Sequence, residues 1–69
     1  MKYTVIYEPT PSGYSVYVPD LPGCVSVGTT IDEARAGIEE AIAFHIEGMR
    51  KDGDPIPEPS FSEVVEVAV

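Results

Sequence analysis

One cysteine and one histidine are all that the 69 residues contain for thiol or imidazole chemistry. With Cys24 alone, no disulfide can form within the chain, and with His45 alone a zinc site would draw most of its ligands from carboxylates. No metal or cofactor is expected. Basic residues are scarce as well: four Lys and Arg stand against twelve Asp and Glu, a formal net charge of −8. Such a field repels phosphate backbones and attracts cationic surfaces, which disfavours direct nucleic-acid binding and makes a basic protein partner plausible. Acidity also keeps a small domain soluble, and charge alone does not choose between these readings. No apolar run approaches the roughly 20 residues of a membrane span. The N-terminus, Met1-Lys2-Tyr3-Thr4-Val5, enters an alternating pattern without the three regions of a signal peptide. A cytoplasmic protein without a membrane partner is the expectation.

What is present is a hydrophobic content of 43% laid out with regular periods, which argues for a folded chain. The length suits one domain, residues 1–69, with one thin core. Chains this short bury only about 60% of the surface their unfolded form exposes, and commonly gain stability from disulfides, metals or self-association. The first two being poorly supplied, a homodimer or higher homo-oligomer is expected.

Lys2 to Glu8 is rich in β-branched and aromatic residues and reads as a strand, followed by turn punctuation over Pro9-Thr10-Pro11-Ser12-Gly13. A second strand is expected from Tyr14 to Val18. Pro19-Asp20-Leu21-Pro22-Gly23 forms a tight turn, because each proline fixes its backbone angle, and a third strand follows from Cys24 to Gly28. Thr30-Ile31-Asp32-Glu33 fits a capping box and starts a helix. On that helix Ile31, Ala34, Ile38, Ala41, Ile42, His45 and Met49 gather on one stripe, with Arg50 and Lys51 near the negative end of its dipole and Gly53 at its stop. The connector Asp54-Pro55-Ile56-Pro57-Glu58-Pro59-Ser60 cannot be helix or central strand. Glu63 to Val69 alternates as a fourth strand.

The order predicts an α+β fold, β-β-β-α-β, with an antiparallel-type sheet and one helix on one face. Period-two alternation puts Tyr3, Val5, Tyr7, Val16, Val18, Val25, Val27, Val65 and Val67 on the helix side. Lys2, Thr4, Ile6, Ser15, Tyr17, Cys24, Ser26, Val64 and Glu66 then take the other, exposed or covered by another chain.

No constellation for catalysis emerges. Cys24 and His45 could form a thiol and base pair only by sharing a face, and the alternation sets them apart. A metal nuclease needs converging carboxylates, but Glu8, Asp20, Glu39 and Glu40 are scattered over a strand end, a turn and a helix flank. Tyr3, Tyr7, Tyr14 and Tyr17 lack the basic neighbours of a base-stacking platform, and three of them fall on the core face. Gly23 and Gly28 lack the spacing of a phosphate loop. Glu33, Glu40 and Glu47 recur at helical intervals, a face that is either solvated or a docking surface for a cationic partner.

Three stretches in order carry a resemblance: Gly13-Tyr14-Ser15-Val16-Tyr17-Val18; Pro19 to Gly28, reading PDLPGCVSVG; and the helix start Thr30-Ile31-Asp32-Glu33-Ala34. With Pro55-Ile56-Pro57 after the helix, they resemble the short HicB-type antitoxin domain over nearly the whole chain. The resemblance implies a truncated ribonuclease-H-like fold that is not an enzyme. It implies a small basic partner, a HicA-like toxin that degrades messenger RNA and is neutralised by complex formation in a type II toxin-antitoxin system. Many members add a C-terminal helix-turn-helix or ribbon-helix-helix segment that binds the operator. This sequence stops at Val69, directly after the expected fourth strand, so no such DNA-binding segment is expected in it. Partner-binding candidates are Tyr17, Asp20, Glu33, Glu40 and Glu47. The alternative is an orphan HicB-like scaffold that self-associates or binds another protein.

Overall fold

In the computed structural model, which describes residues 1–68, four elements follow in the order β1 (Ile6–Thr10), β2 (Gly13–Tyr17), β3 (Val25–Gly28) and α1 (Ile31–Asp52). β1 and β2 pair antiparallel from Ile6↔Tyr17 to Thr10↔Gly13, so the hairpin closes on Pro11-Ser12, tighter than the loop expected from Pro9 to Gly13. Pro9 lies inside β1, which is tolerated because β1 is an edge strand. Gly13 leaves room for the β3–α1 junction: a Cβ there would stand 2.2 Å from the Gly28 carbonyl oxygen.

β3 pairs with β2 from Tyr14↔Gly28 to Tyr17↔Val25, with Val16 opposite Ser26. Residues directly opposite one another share a face, so Ser26 joins Val16 under the helix while Val25 and Val27 point away from it. This reverses the expected faces of β3. Val25 and Val27 are 63% and 74% exposed, whereas Cys24, assigned to the far side, is buried in the core. The turn sets the parity: Val18 N–H donates to the Cys24 carbonyl, Leu21 N–H to that of Val18, and Cys24 N–H to that of Leu21. Val18 and Cys24 thereby face each other, and the core side of Val18 becomes that of Cys24. Small residues complete the fit. Gly37 sits so close to Ser26 that a Cβ would meet its Oγ at 2.3 Å, an approach two valines on the inner side of β3 would block.

The helix begins and ends as expected. Thr30 Oγ1 accepts the Glu33 N–H at 3.1 Å; the Glu33 carboxylate reaches one residue beyond the cap, accepting the Thr29 N–H at 3.3 Å and its hydroxyl at 3.0 Å. Gly53 takes the left-handed conformation, φ 71°, and the Gly53 and Asp54 N–H groups close onto the Arg50 and Met49 carbonyls, satisfying the free carbonyls of the last turn. Val16, Val18, Leu21, Cys24, Ala34 and Ile38 form the core, with Tyr3, Val5, Tyr7, Tyr14, Ala41, Ile42, Ile46 and Met49 packed around it. The three tyrosines expected on the core face are there, and Tyr17 is on the outer one.

Residues 54–68 carry no regular structure. They are pinned first where the Tyr3 hydroxyl donates to the Pro57 carbonyl, then where Ser60 meets Asp20, and last at Thr4 and Ser62, whose hydroxyls lie 3.2 Å apart. The expected fourth strand is not formed over its described part, Glu63 to Ala68; Val69 lies outside the described residues. A strand requires a neighbour for its backbone groups. Val64, 99% exposed, has no such surface against it.

Candidate partner-binding site

On the helix, the residues turned from the core form a line. Glu33, Glu40, Phe44, Glu47 and Lys51 all fall within a narrow stripe at 100° per residue, and all are exposed. Phe44 is the unexpected member, at 78% exposure. A depression of about 150 Å³ lies beside it, lined by Phe44, Glu47, Gly48 and Lys51; Gly48 leaves it open, since a Cβ there would touch nothing within 4 Å. An aromatic ring on a charged surface loses little conformational entropy on being covered and anchors protein interfaces well. The sequence signal was a phenylalanine off the apolar stripe. Arg35, bound to Asp32 at 2.8 Å, offsets part of the acidity near the helix start.

The other candidates lie apart from this stripe. Tyr17 is half-buried on the outer face of the sheet, opposite Ile6 and Val25. Asp20 is occupied: its carboxylate accepts the Ser60 N–H at 2.8 Å and the Ser60 hydroxyl at 2.5 Å, and these bonds hold its pKa below the ordinary 3.8. The sign follows from linkage: a carboxyl depressed in the folded state contributes stability above its unfolded pKa and loses it as pH falls through the folded value. An NMR titration is therefore expected to place the Asp20 midpoint below 3.8, with the Ser60 amide shifting at the same pH. Asp20→Asn should abolish that coupled shift; a normal Asp20 midpoint in the wild type would remove the clamp. Glu33, engaged in the cap, is the least free of the three candidate glutamates.

A wider surface depression of about 410 Å³ lies at the β3–α1 junction, lined by Thr10, Ser12, Tyr14, Val27, Gly28, Thr29 and Glu33. Its polar groups are hydroxyls and one carboxylate that already serves the cap. The Cys24 thiol is buried, and burial pushes its pKa up, the opposite of what a nucleophilic thiol needs. Among the described residues, no group of three His, Cys, Asp or Glu side chains is placed to hold a metal ion, and no helix is long and apolar enough to cross a membrane.

The sequence that folds into this three-stranded antiparallel sheet under one acidic helix is matched over residues 3–68 by the family described as the HicB-like antitoxin of bacterial toxin-antitoxin systems. The chain belongs to the HicB-like antitoxin family. It is 49% identical over 57 residues to the 14.9 kDa protein of the rep-hol intergenic region of Haemophilus phage HP1, covering 83% of this chain and 43% of the phage protein. It is 33% identical over 60 residues to antitoxin HicB 2 of Photorhabdus laumondii, covering 87% of this chain and 43% of that antitoxin. The chain thus spans less than half the length of either relative. Among solved structures, a HicA3 and HicB3 toxin-antitoxin complex contains a chain that superposes with a TM-score of 0.74 at 35% identity, over 87% of this chain and 70% of that one.

Proposed function

We propose that this HicB-like chain is the antitoxin of a type II pair in the cytoplasm: it binds a small basic HicA-like toxin and hides the toxin's RNA-cleaving residues, acting by binding rather than catalysis. The observation that carries this reading is the helix stripe, where Glu40 and Glu47 flank the solvent-exposed ring of Phe44. Carboxylates steer and orient a cationic partner, and the ring supplies apolar area for it to cover. The solved HicA3 and HicB3 toxin-antitoxin complex, which contains a chain of this fold, supports the same partner class. The proposal includes self-association through the outer sheet face, on which Val25, Val27 and Ile6 are exposed.

The test is co-expression with a short basic reading frame adjacent to the gene. The two products are expected to co-purify, the chain to suppress RNA cleavage by its partner, and the complex to weaken as salt rises from low to physiological strength, because exposed charges are screened beyond ~8 Å at 0.15 M. A basic neighbour that cleaves RNA unhindered by an excess of this chain at low salt would overturn the reading.

A further inference from the structure

Two features are left unpartnered, and they match. Among the described residues β3 has one strand neighbour, β2, and so a free edge; on it Val25 and Val27 are 63% and 74% exposed. In the C-terminal segment Phe61, Glu63, Val65 and Val67 share one side under the two-residue period of an extended chain, and its apolar members Phe61, Val65 and Val67 are 88%, 67% and 68% exposed. We infer that the segment Phe61–Val67 of one copy adds as a strand to the β3 edge of a second copy, laying Phe61, Val65 and Val67 beside Val25 and Val27, and that the exchange is reciprocal about a two-fold axis. This rests on the reading that the chain self-associates through its sheet, and it names what joins the copies.

Three observations select this occupant and this edge. The free edge of β1 contains Pro9, which has no N–H to give and so guards that edge against an added strand. β3, Val25-Ser26-Val27-Gly28, carries neither proline nor charge and is unguarded. Charge decides against a basic partner here: Glu8 is the one acid of the three strands, whereas α1 carries Asp32, Glu33, Glu39, Glu40, Glu47 and Asp52. An uncharged valine edge suits a β-branched strand, in which main-chain bonds supply the affinity. The donor is also already held at its root, by Ser60 on Asp20 and Ser62 near Thr4. Beyond Ser62 it projects. The radius of gyration is 13.8 Å, against roughly 11 Å for a compact chain of this length.

The experiment combines sedimentation equilibrium with amide hydrogen exchange on the full chain, at concentrations below and above the dimerisation midpoint. The expected result is a dimer whose amides from Glu63 to Val67 exchange roughly tenfold or more slowly only at the higher concentration. Val27→Asp and Val65→Asp, both at exposed positions, are each expected to raise the dimer dissociation constant roughly tenfold or more, with the helical circular dichroism signal unchanged. A dimer whose Glu63–Val67 amides exchange freely overturns the strand exchange and leaves self-association standing. Protection independent of concentration assigns the segment to its own sheet and overturns the exchange. A monomer at every concentration overturns both.

Discussion

Leu21→Ala is expected to abolish most of the stability of the isolated chain. Leu21 is 0% exposed, although it lies in the turn between β2 and β3 rather than in a strand. Its backbone is committed too, with its N–H bound to the Val18 carbonyl and its own carbonyl accepting the Cys24 N–H. The side chain is among the largest fully buried ones and belongs to the core cluster with Val16, Val18, Cys24, Ala34 and Ile38, so truncating it opens a cavity in that core. Truncating a buried leucine costs about 2–5 kcal/mol, while a chain of this length holds only about 3–10 kcal/mol in total. At roughly 4–8 °C per kcal/mol for a domain of this size, the thermal midpoint should fall by at least about 10 °C, or the transition should vanish. Circular dichroism at fixed protein concentration checks it, since self-association raises the midpoint by mass action. Pro22→Ala, at an exposed neighbour in the same turn, separates loss of the core from loss of the turn. A midpoint for Leu21→Ala within a few degrees of wild type would mean the core is held elsewhere.

That turn also marks where sequence reasoning stopped being sufficient. The helix was legible because its signals are local: Thr30 and Glu33 at the start, Gly53 at the stop, and a stripe through Ala34 and Ile38 that became the buried face. The hairpin and the order of strands were legible for the same reason. The faces of β3 were not, because in a strand one residue of slip exchanges the two faces, and the slip is decided by the hydrogen bonds of the Val18–Cys24 turn rather than by β3 itself. Hydrophobicity favoured Val25 and Val27 as core; the close passage of Gly37 over Ser26 favoured small residues, and packing prevailed. The fourth strand was misread for a different reason. Alternation in Glu63 to Val67 reports that the segment can pair, not that a neighbour is present in the same chain. At the candidate site the glutamate spacing was visible, and so was the position of Phe44 off the apolar stripe; the packed helix adds that the ring stays 78% exposed.

The stripe makes the second large effect specific. Reversing Glu40 and Glu47 together to lysine is expected to weaken binding of a basic partner by roughly 100-fold, because like charges brought together at an interface cost several kcal/mol. Phe44→Ala is expected to weaken it roughly tenfold or more through loss of a central apolar anchor. The fold should survive all three changes. Each side chain is exposed, and the largest local cost is the new repulsion between a lysine at 47 and Lys51, four residues on, worth a few tenths of a kcal/mol. Net charge alone would also change association, so the control is Asp54→Lys with Glu58→Lys, an identical charge difference placed at exposed positions of the connector after the helix. Surface plasmon resonance at two salt concentrations distinguishes the cases. A docking stripe predicts faster dissociation for Phe44→Ala with nearly unchanged association, since a neutral truncation leaves the steering field intact. It also predicts that the glutamate reversals lose far more affinity than the control pair. Equal losses for both charge pairs, with Phe44→Ala binding like wild type, would mean that the acidic field attracts the partner while the contact is made on another face.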